Sequence, residues 1–234
     1  RISGRLAAQV LEMIGAYIKP GVSTEYLDDI CNDYIVNTLQ VIPANVGYHG
    51  FTKTTCISVN EEVCHAIPSA KKILQEGDIL NIDVAVIKDG YFGDTSRMYF
   101  VGEPSPEAKK LVETTYDAML AGILTVRPGA TLDDIGYAIQ SVAQAQGYSI
   151  VREYCGHGIG RVYHEQPNIL HYGQKGQGMV LKKGMVFTIE PMVNAGKAQV
   201  KELSDGWTVV TRDKSLSAQW EHMVAVTEDG FELL

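Results

Sequence analysis

The stretch GDILNIDVAVIKDGYFGDTSRMYF, residues 77–100, predicts a buried β-hairpin. Its first half is an apolar run rich in β-branched residues, which is typical of a buried strand. Asp89-Gly90 follows this run, and that dipeptide favours the two-residue turn of a hairpin because both residues tolerate a positive φ. The returning strand is expected to end at Phe100. We expect the rest of the chain to be arranged around this hairpin.

Two carboxylates lie on one face of the predicted hairpin. With the turn as its loop, Asp83 lies opposite Ser96 and Ala85 lies opposite Asp94, so the two aspartates are diagonal neighbours about 7–8 Å apart. Ionised carboxylates on a buried face repel each other and lose hydration unless protons or cations compensate them, which divalent metal ions do well. The alternative is a solvent-facing hairpin with an ordinary surface pair of aspartates.

The composition indicates a compact globular protein. The chain has 234 residues, 45% of them hydrophobic, and a net charge of −8. The acidic balance, with Lys and Arg clustered at most in pairs, argues against DNA binding. No apolar run approaches the roughly 20 residues that span a bilayer. The cysteines lack C-x-x-C spacing, so we expect reduced thiols in a cytoplasm at Cys31, Cys56, Cys64 and Cys155.

The chain repeats one order of elements. The first copy is a helix ending at Lys19, the break Pro20-Gly21 and a helix capped by Ser23 or Thr24. The second copy is a helix over 111–126, the break Pro128-Gly129 and a helix capped by Thr131 and ending at Gly147. This order predicts two related helix-helix-strand halves at about residues 1–100 and 107–234.

Further signals recur after each pair of helices. H-x-x-P motifs begin at His65 and His164, and strands of the form G-x-x-x-x-I-acid end in Asp83 and Glu190. We therefore expect Asp83 and Glu190 at equivalent positions near a pseudo-twofold axis.

Five polar residues stand out in these surroundings: Asp83, Asp94, Glu190, Glu221 and His157. An oxygen-rich set with one imidazole suits a pair of Mn, Fe, Co or Zn ions, which bridging carboxylates hold about 3.5–4 Å apart in dinuclear hydrolases. For the glycine-rich loop 153–160 around His157 we expect a tight turn that lets a substrate approach. The alternative is a plain turn with a surface histidine.

Nine short motifs carry a family resemblance. In chain order they are YHGF (48–51), CISVNE (56–61), CHAIP (64–68), NID (81–83), GDTS (93–96), GHGIG (156–160), HE (164–165), TIEP (188–191) and WEH (220–222). With them the sequence closely resembles bacterial type I methionine aminopeptidases over essentially its full length. The resemblance implies the α+β pita-bread fold, with pseudo-symmetric halves and a curved antiparallel sheet flanked by helices, as one catalytic domain over residues 1–234.

The resemblance also implies a dinuclear site. Asp83 would chelate one of two divalent ions (Co, Mn, Fe or Zn), Asp94 and Glu221 would bridge both, and His157 with Glu190 would complete the other. A metal-bridging hydroxide would attack the carbonyl of an N-terminal methionine that precedes a small residue, with Glu190 as proton acceptor.

Substrate-binding residues follow from the same resemblance. His65 and His164 would face the substrate, stabilising the oxyanion and handling the departing amine. The methionine pocket would be lined by Tyr48, Phe51, Cys56, Tyr163 and Trp207. Judged singly, residues such as Phe51 or Cys56 are better explained as ordinary core.

Three residues depart from the family pattern. Asn45 stands where many relatives carry Cys, Thr52 where they carry Pro, and Ala66 where they carry Gly. The departures bear on pocket shape and inhibitor preference rather than on the metal ligands. Ala66 also adjoins His65, whose imidazole its methyl group could shift.

Two rival functions remain open at this point. Prolidases and X-Pro aminopeptidases share the five ligands, although they usually add an N-terminal domain. A binding module that had lost catalysis could serve as a partner surface at the ribosome, but it should have lost ligands. The preferred resemblance implies nascent-chain substrates, transient ribosome association, a monomer and a cytoplasmic location.

Overall fold

The first two helices pack on one face of the predicted hairpin. The structure is a computed structural model that describes residues 1–234. Helix α1 spans Ile2–Ile14 and helix α2 spans Thr24–Asp33. Ser23 caps α2 by accepting a hydrogen bond from the backbone N–H of Tyr26 at 3.1 Å. Helix α2 and the break at Pro20-Gly21 are as predicted, whereas α1 ends at Ile14, before the predicted end at Lys19. A 3₁₀ turn (Gly15–Tyr17) follows α1 and a π-helical turn (Tyr34–Thr38) follows α2.

Five strands complete the first half of the chain. They are β1 (Ile42–Pro43), β2 (Thr55–Val59), β3 (Glu62–Cys64), β4 (Ile79–Lys88) and β5 (Tyr91–Phe100). Strands β4 and β5 form the predicted hairpin, with Asp83 opposite Ser96 and Ala85 opposite Asp94. The turn residue Asp89 has a φ of 52° and Gly90 a φ of 78°, as such a turn requires.

The alternation of side chains along β4 determines which residues lie on each face of the hairpin. Its even-numbered residues pack in one core cluster with the buried stripe of α1, namely Leu80, Ile82, Val84 and Val86 against Ala7, Val10, Leu11 and Ile14. Successive side chains of a strand point to opposite faces, so Asn81, Asp83 and Ala85 face away from these helices. The face that carries Asp83 is thereby directed toward the second half of the chain.

Two further helices begin the second half. Helix α3 spans Pro106–Ile123 and helix α4 spans Leu132–Ala145. The predicted bounds of 111–126 for α3 were wrong at both ends. Ser105 caps the helix and Pro106 occupies its first position, so the helix begins before the predicted start at residue 111. At the other end, the N–H of Val126 donates to the carbonyl of Ile123 in a tight terminal turn.

The remaining strands are short. They are β6 (Ser149–Ile150), β7 (Gly156–Gly158), β8 (Glu165–Ile169), β9 (Val186–Ile189), β10 (Met192–Asn194), β11 (Val200–Glu202), β12 (Val209–Thr211), β13 (Ser217–Gln219), β14 (His222–Val226) and β15 (Phe231–Leu233). The largest core cluster, 23 buried residues, packs α3 and α4 against strands of this half.

The strands form four antiparallel sheets, and the two halves meet along them. In the first sheet β4 pairs with β1, β2 and β5; the others run β13-β10-β6, β11-β12-β3 and β15-β14-β9-β7-β8. Strand β3 thus pairs with β12 of the second half, and an isolated bridge joins Ser96 to Glu221. The α+β class is confirmed. The order helix, helix, strands occurs twice, while the division at 1–100 and 107–234 stays a prediction.

None of the helices has both the length and the apolar character needed to cross a lipid bilayer.

Candidate active site

A cavity of about 340 Å³ lies between the two halves. The structure brings all five candidate metal ligands to its wall, together with both candidate substrate histidines and all five residues expected in a methionine pocket. The lining residues are Asn45, Tyr48, His49, Phe51, Cys56, His65, Asp83, Asp94, His157, Tyr163, His164, Glu190, Trp207 and Glu221. Residues more than 170 positions apart in the chain therefore meet in one place.

Three of the candidate ligands form a tight group. Asp94 on β5, His157 on β7 and Glu221 just before β14 are all buried, and their ligand atoms lie within 4.8 Å of one another. Glu221 is held there by the bridge to Ser96, in which each backbone N–H donates to the other's carbonyl at 3.3 Å. The surface-hairpin alternative is therefore wrong, because Asp94 is only 3% exposed.

The other two candidate ligands, Glu190 and Asp83, line the same cavity. Oε1 of Glu190 lies 3.4 Å from Nε2 of His157 and accepts a hydrogen bond from the Thr188 hydroxyl at 2.7 Å. Asp83 lines the same cavity from β4, and its Oδ1 atom is buried without any hydrogen-bond partner. A buried carboxylate oxygen left unpaired is costly unless a cation or proton meets it.

The crowding of these acids shifts their ionisation. Burial raises the pKa of Asp83 and of Glu221 well above the usual range, and the charge of Asp94 raises both further. Burial also raises the pKa of Glu190, to about 7. Carboxyl groups shifted in this way are stable as anions only when positive charge lies among them.

His157 responds to the same acids in the opposite sense. Burial by itself would lower its pKa, but the hydrogen bond to Asp94 and the charges of Glu190 and Asp94 outweigh burial and raise the pKa to about 9. Its Nδ1 atom lies 3.1 Å from the Gly158 carbonyl oxygen, which leaves Nε2 directed at the acids. The site thus favours a cation at Nε2, whether a proton or a metal ion.

The donor set fits divalent metal ions. Four carboxylates and one imidazole converge, one carboxylate oxygen is unpaired, and the excess of negative charge is what hard or borderline cations compensate. No cysteine is needed, since Cys56 and Cys64 are buried thiols whose pKa values burial raises well above the usual range.

The glycines around His157 allow close packing of a strand and do not form the predicted turn. GHG is strand β7 rather than a tight turn, so that expectation was wrong. A Cβ on Gly156 would lie 2.3 Å from the Thr188 carbonyl oxygen, and one on Gly158 would lie 2.3 Å from that of Gln166. The glycines let β7 lie close between β8 and β9, which fixes His157 beside Glu190.

The rest of the cavity divides into a histidine side and an aromatic side. The imidazole of His164 lies 4.1 Å from that of His157, centroid to centroid, and its Nδ1 is 2.8 Å from the Tyr48 hydroxyl oxygen. Burial, aided by the charge of His157, lowers the pKa of His164 to about 4. Burial also lowers the pKa of His65, so both imidazoles are neutral near pH 7.

Aromatic rings form the opposite wall. Phe51 and Trp207 meet edge to face at 5.0 Å, and His65 lies 6.4 Å from Trp207 between the two sides. The ring of Tyr163 stacks on Phe92 at 4.9 Å. Cys56 is buried near the start of β2, opposite Asp83 in the ladder.

Sequence reasoning missed two residues at the site. His171 is fully buried, and its Nε2 accepts the backbone N–H of Glu190 at 3.1 Å, a role consistent with a pKa lowered to about 3 by burial. His49 also lines the cavity, although its neighbour Tyr48 was expected there. No local pattern distinguishes a lone histidine such as His171 from any other core polar residue. His49 belongs to the YHGF motif, which was the available signal.

Comparison with known proteins identifies the family of this chain. The model of metallopeptidase family M24 matches residues 1–228. Methionine aminopeptidase of Escherichia coli K12 is 56% identical over all of this chain and 89% of its own length. The crystal structure of methionine aminopeptidase from Rickettsia prowazekii is 55% identical, with a TM-score of 0.97 over 99% of this chain and 93% of that one.

A prolidase of known structure is more distant. Prolidase from Pyrococcus furiosus is 22% identical, with a TM-score of 0.76 over 99% of this chain and 60% of that chain, a likeness that shows the shared fold alone. The identity to the methionine aminopeptidases is more than twice as high and spans nearly the whole of both chains. The chain therefore belongs to metallopeptidase family M24 and, within it, to the methionine aminopeptidases.

Proposed function

We propose that the cavity hydrolyses the peptide bond after an N-terminal methionine, in nascent proteins and peptides whose second residue is small. The observation that carries the proposal is the meeting of Asp94, His157 and Glu221, with ligand atoms within 4.8 Å of one another, in a cavity that also has an aromatic wall. The preference for a small second residue rests on the family resemblance.

Two divalent metal ions, Co, Mn, Fe or Zn, are the implied cofactors. Asp83, Asp94, His157, Glu190 and Glu221 would hold them, and Asp94, His157 and Glu221 form the tightest part of this set. Bound metal ions supply a hydroxide near neutral pH and polarise the scissile carbonyl. All further steps fall to the side chains of the cavity.

Glu190 is placed to move the proton of the attacking water. The Thr188 hydroxyl donates to its Oε1 atom at 2.7 Å and the Gln219 side-chain amide donates to its Oε2 atom at 3.4 Å. These two bonds orient the carboxylate, which would receive the proton and pass it to the departing amine. In this proposal Glu190 is both a metal ligand and a proton acceptor, so its position must be fixed. Thr188 fixes its side chain, and His171 fixes its backbone.

The two neutral histidines face the reacting carbonyl. When the Tyr48 hydroxyl donates to Nδ1 of His164, the ring proton sits on Nε2, where it can stabilise a developing oxyanion. His65 is held between Tyr154 and Trp207, with ring centroids 5.3 and 6.4 Å away, and would contact the substrate on the opposite side. A neutral imidazole donates without adding a charge that would compete with the metal ions.

The aromatic wall would bind the methionine side chain of the substrate. Phe51, Trp207 and Cys56 offer a polarisable apolar surface, and thioether sulfur packs favourably against aromatic rings. Tyr48 and Tyr163 close the pocket toward the histidines.

One assay tests the proposal. Met-Ala-Ser and Met-Lys-Ser are incubated with the protein and Mn, Fe, Co or Zn, and free methionine is measured by mass spectrometry. Cleavage of Met-Ala-Ser well ahead of Met-Lys-Ser is expected, whereas cleavage of neither with any metal would contradict it. An X-Pro peptide included in the same assay tests the proline-specific alternative, which gains support only if it is cleaved faster than Met-Ala-Ser.

The resemblance adds expectations about the setting. A monomer that contacts the ribosome transiently in the cytoplasm fits an enzyme acting on nascent chains. Sedimentation of the protein alone and together with ribosomes would test both the oligomeric state and the contact. The non-catalytic alternative is disfavoured because none of the five candidate ligands has been lost.

A further inference from the structure

A polar pair lies in the otherwise apolar part of the cavity. The Tyr163 hydroxyl donates to Oδ1 of Asn45 at 2.7 Å, and Nδ2 of Asn45 donates to the Thr54 carbonyl oxygen at 3.1 Å. A carbonyl can only accept, so the Thr54 oxygen fixes which end of the Asn45 amide carries the N–H groups. Tyr163 must then be the donor in its bond with Asn45.

The pair is rigidly supported from both ends. Asp28 is buried, and its carboxylate accepts from the backbone N–H of Thr54 at 3.1 Å and from that of Thr55 at 2.7 Å, which holds the Thr54 carbonyl in place. At the other end the Tyr163 ring is stacked on Phe92 at an interplanar angle of 14°. Neither Asn45 nor Tyr163 is free to turn away.

One hydrogen-bond donor of this pair has no use within the protein. A side-chain amide carries two N–H groups. One N–H of Asn45 donates to the Thr54 carbonyl oxygen, and the other has no partner in the protein. Asn45 is 7% exposed and lines the cavity, so bulk water meets this donor poorly. The thioether sulfur of methionine is only a weak acceptor and would leave this donor poorly paired, which weakens binding.

We propose that Asn45 and Tyr163 adapt the cavity to N-terminal methionine sulfoxide as well as to methionine. The inference rests on the proposed function. The sulfoxide has the length of methionine and carries on its sulfur an acceptor oxygen that the free N–H of Asn45 can bind. Hydrolysis consumes one water and releases free methionine sulfoxide and the shortened peptide. The sulfur keeps its oxidation state, so no reductant is required.

The stereochemistry of the sulfoxide gives the proposal a distinctive signature. Oxidation makes the sulfur a chiral centre, so two diastereomeric peptides exist. A donor held in one position can reach the oxygen of only one of them. Unequal cleavage of the two diastereomers is expected from a fixed donor and not from a merely roomy pocket.

The test compares three peptides: Met-Ala-Ser and the two separated sulfoxide diastereomers of the same sequence. With metal-loaded protein we expect both forms of methionine to be released and one diastereomer to be preferred about tenfold, the effect of one hydrogen bond. N45C, which places the residue of many relatives there, should bring the two diastereomers within about twofold. N37C is the matched control at an exposed asparagine and should keep the preference.

A second variant guards against a damaged fold. Y163F leaves the ring stacked but removes the hydroxyl that holds Oδ1 of Asn45, and a reduced diastereomer preference is expected. Equal cleavage of the diastereomers by the unaltered protein, no cleavage of either, or a preference unchanged in both N45C and Y163F would overturn the inference. Cleavage of Met-Ala-Ser by the unaltered protein would still support the proposed function in each of these cases. Failure to cleave Met-Ala-Ser itself would overturn the proposed function and the inference together.

Discussion

Glu221 and Ser96 form a two-way backbone bridge, each N–H donating to the other's carbonyl at 3.3 Å, and this bridge joins the two halves of the chain. Ser96 lies directly opposite Asp83 in the hairpin, two positions from Asp94. The bridge therefore sets a carboxylate of the second half beside two of the first. Metal binding, in this account, also fastens the halves to each other.

Replacing Asp94 by Asn should abolish metal binding at the tight group. The change keeps the size of the side chain but removes the charge that His157 and the bound ions require. We expect metal affinity and activity each to fall by at least about 100-fold. This loss is larger than the effect of altering a residue that only hydrogen-bonds to a metal ligand. Isothermal titration with Mn or Co would measure it.

D89N is the matched control for that experiment. Asp89 belongs to the same hairpin but lies in the exposed turn, and asparagine tolerates its positive φ. Metal affinity equal in the unaltered protein and in D94N would contradict the assignment of Asp94, and a loss in D89N would show that the hairpin tolerates no change.

Removing the imidazole of His171 should destabilise the fold around Glu190. H171L leaves the backbone N–H of Glu190 buried without an acceptor, which costs about 1–3 kcal/mol. Urea denaturation of the metal-free protein measures the loss. H171Q offers an oxygen at similar reach and should recover part of it; equal stability of H171L and the unaltered protein would rule out this role.

Adding a methyl group to Gly158 should disturb the strand that carries His157. G158A places a Cβ 2.3 Å from the Gln166 carbonyl oxygen, a backbone clash that we expect to cost about 1–3 kcal/mol or more. G160A is the control within the same motif, because its Cβ would meet nothing closer than 3.7 Å. Thermal unfolding of the two variants should therefore differ, and equal melting temperatures would contradict the close packing of β7.

Acid should weaken the turn after β12 through Asp213. Hydrogen bonds from the backbone N–H of Lys197 and from Ser215 lower the pKa of Asp213 to about 2, below its value in the unfolded chain. The stabilisation is thus complete above the unfolded pKa of about 3.8 and is lost as the pH falls toward 2. The stability difference between the unaltered protein and D213N should shrink between about pH 4 and pH 2, as measured by urea denaturation.

The hairpin was predictable from sequence because its information is local. The alternation of β4 and the Asp89-Gly90 turn fix the register by themselves, and with it the shared face of Asp83 and Asp94. The starts of helices α2 and α4 were equally predictable, because Ser23 and Thr131 cap them. The start of α3 was missed because Ser105-Pro106 reads equally well as connecting chain.

Contacts between distant positions could not be predicted in the same way. His171 lies 19 positions from Glu190, and the partner of the Tyr163 hydroxyl is 118 positions away, so no local pattern relates either pair. Asn45 was visible only as a departure from relatives, without its hydrogen bonds. The glycines of β7 were assigned to a turn because a sequence does not show which backbone will lie against them.

Metal-dependent release of methionine tests the central claim most directly. Metal-free protein is titrated with Mn or Co while free methionine is measured from Met-Ala-Ser, with D94N alongside. The account predicts no release without metal, activity that rises with metal and saturates, and almost none in D94N. Release that is unaffected by chelation, or equal in D94N, would contradict it.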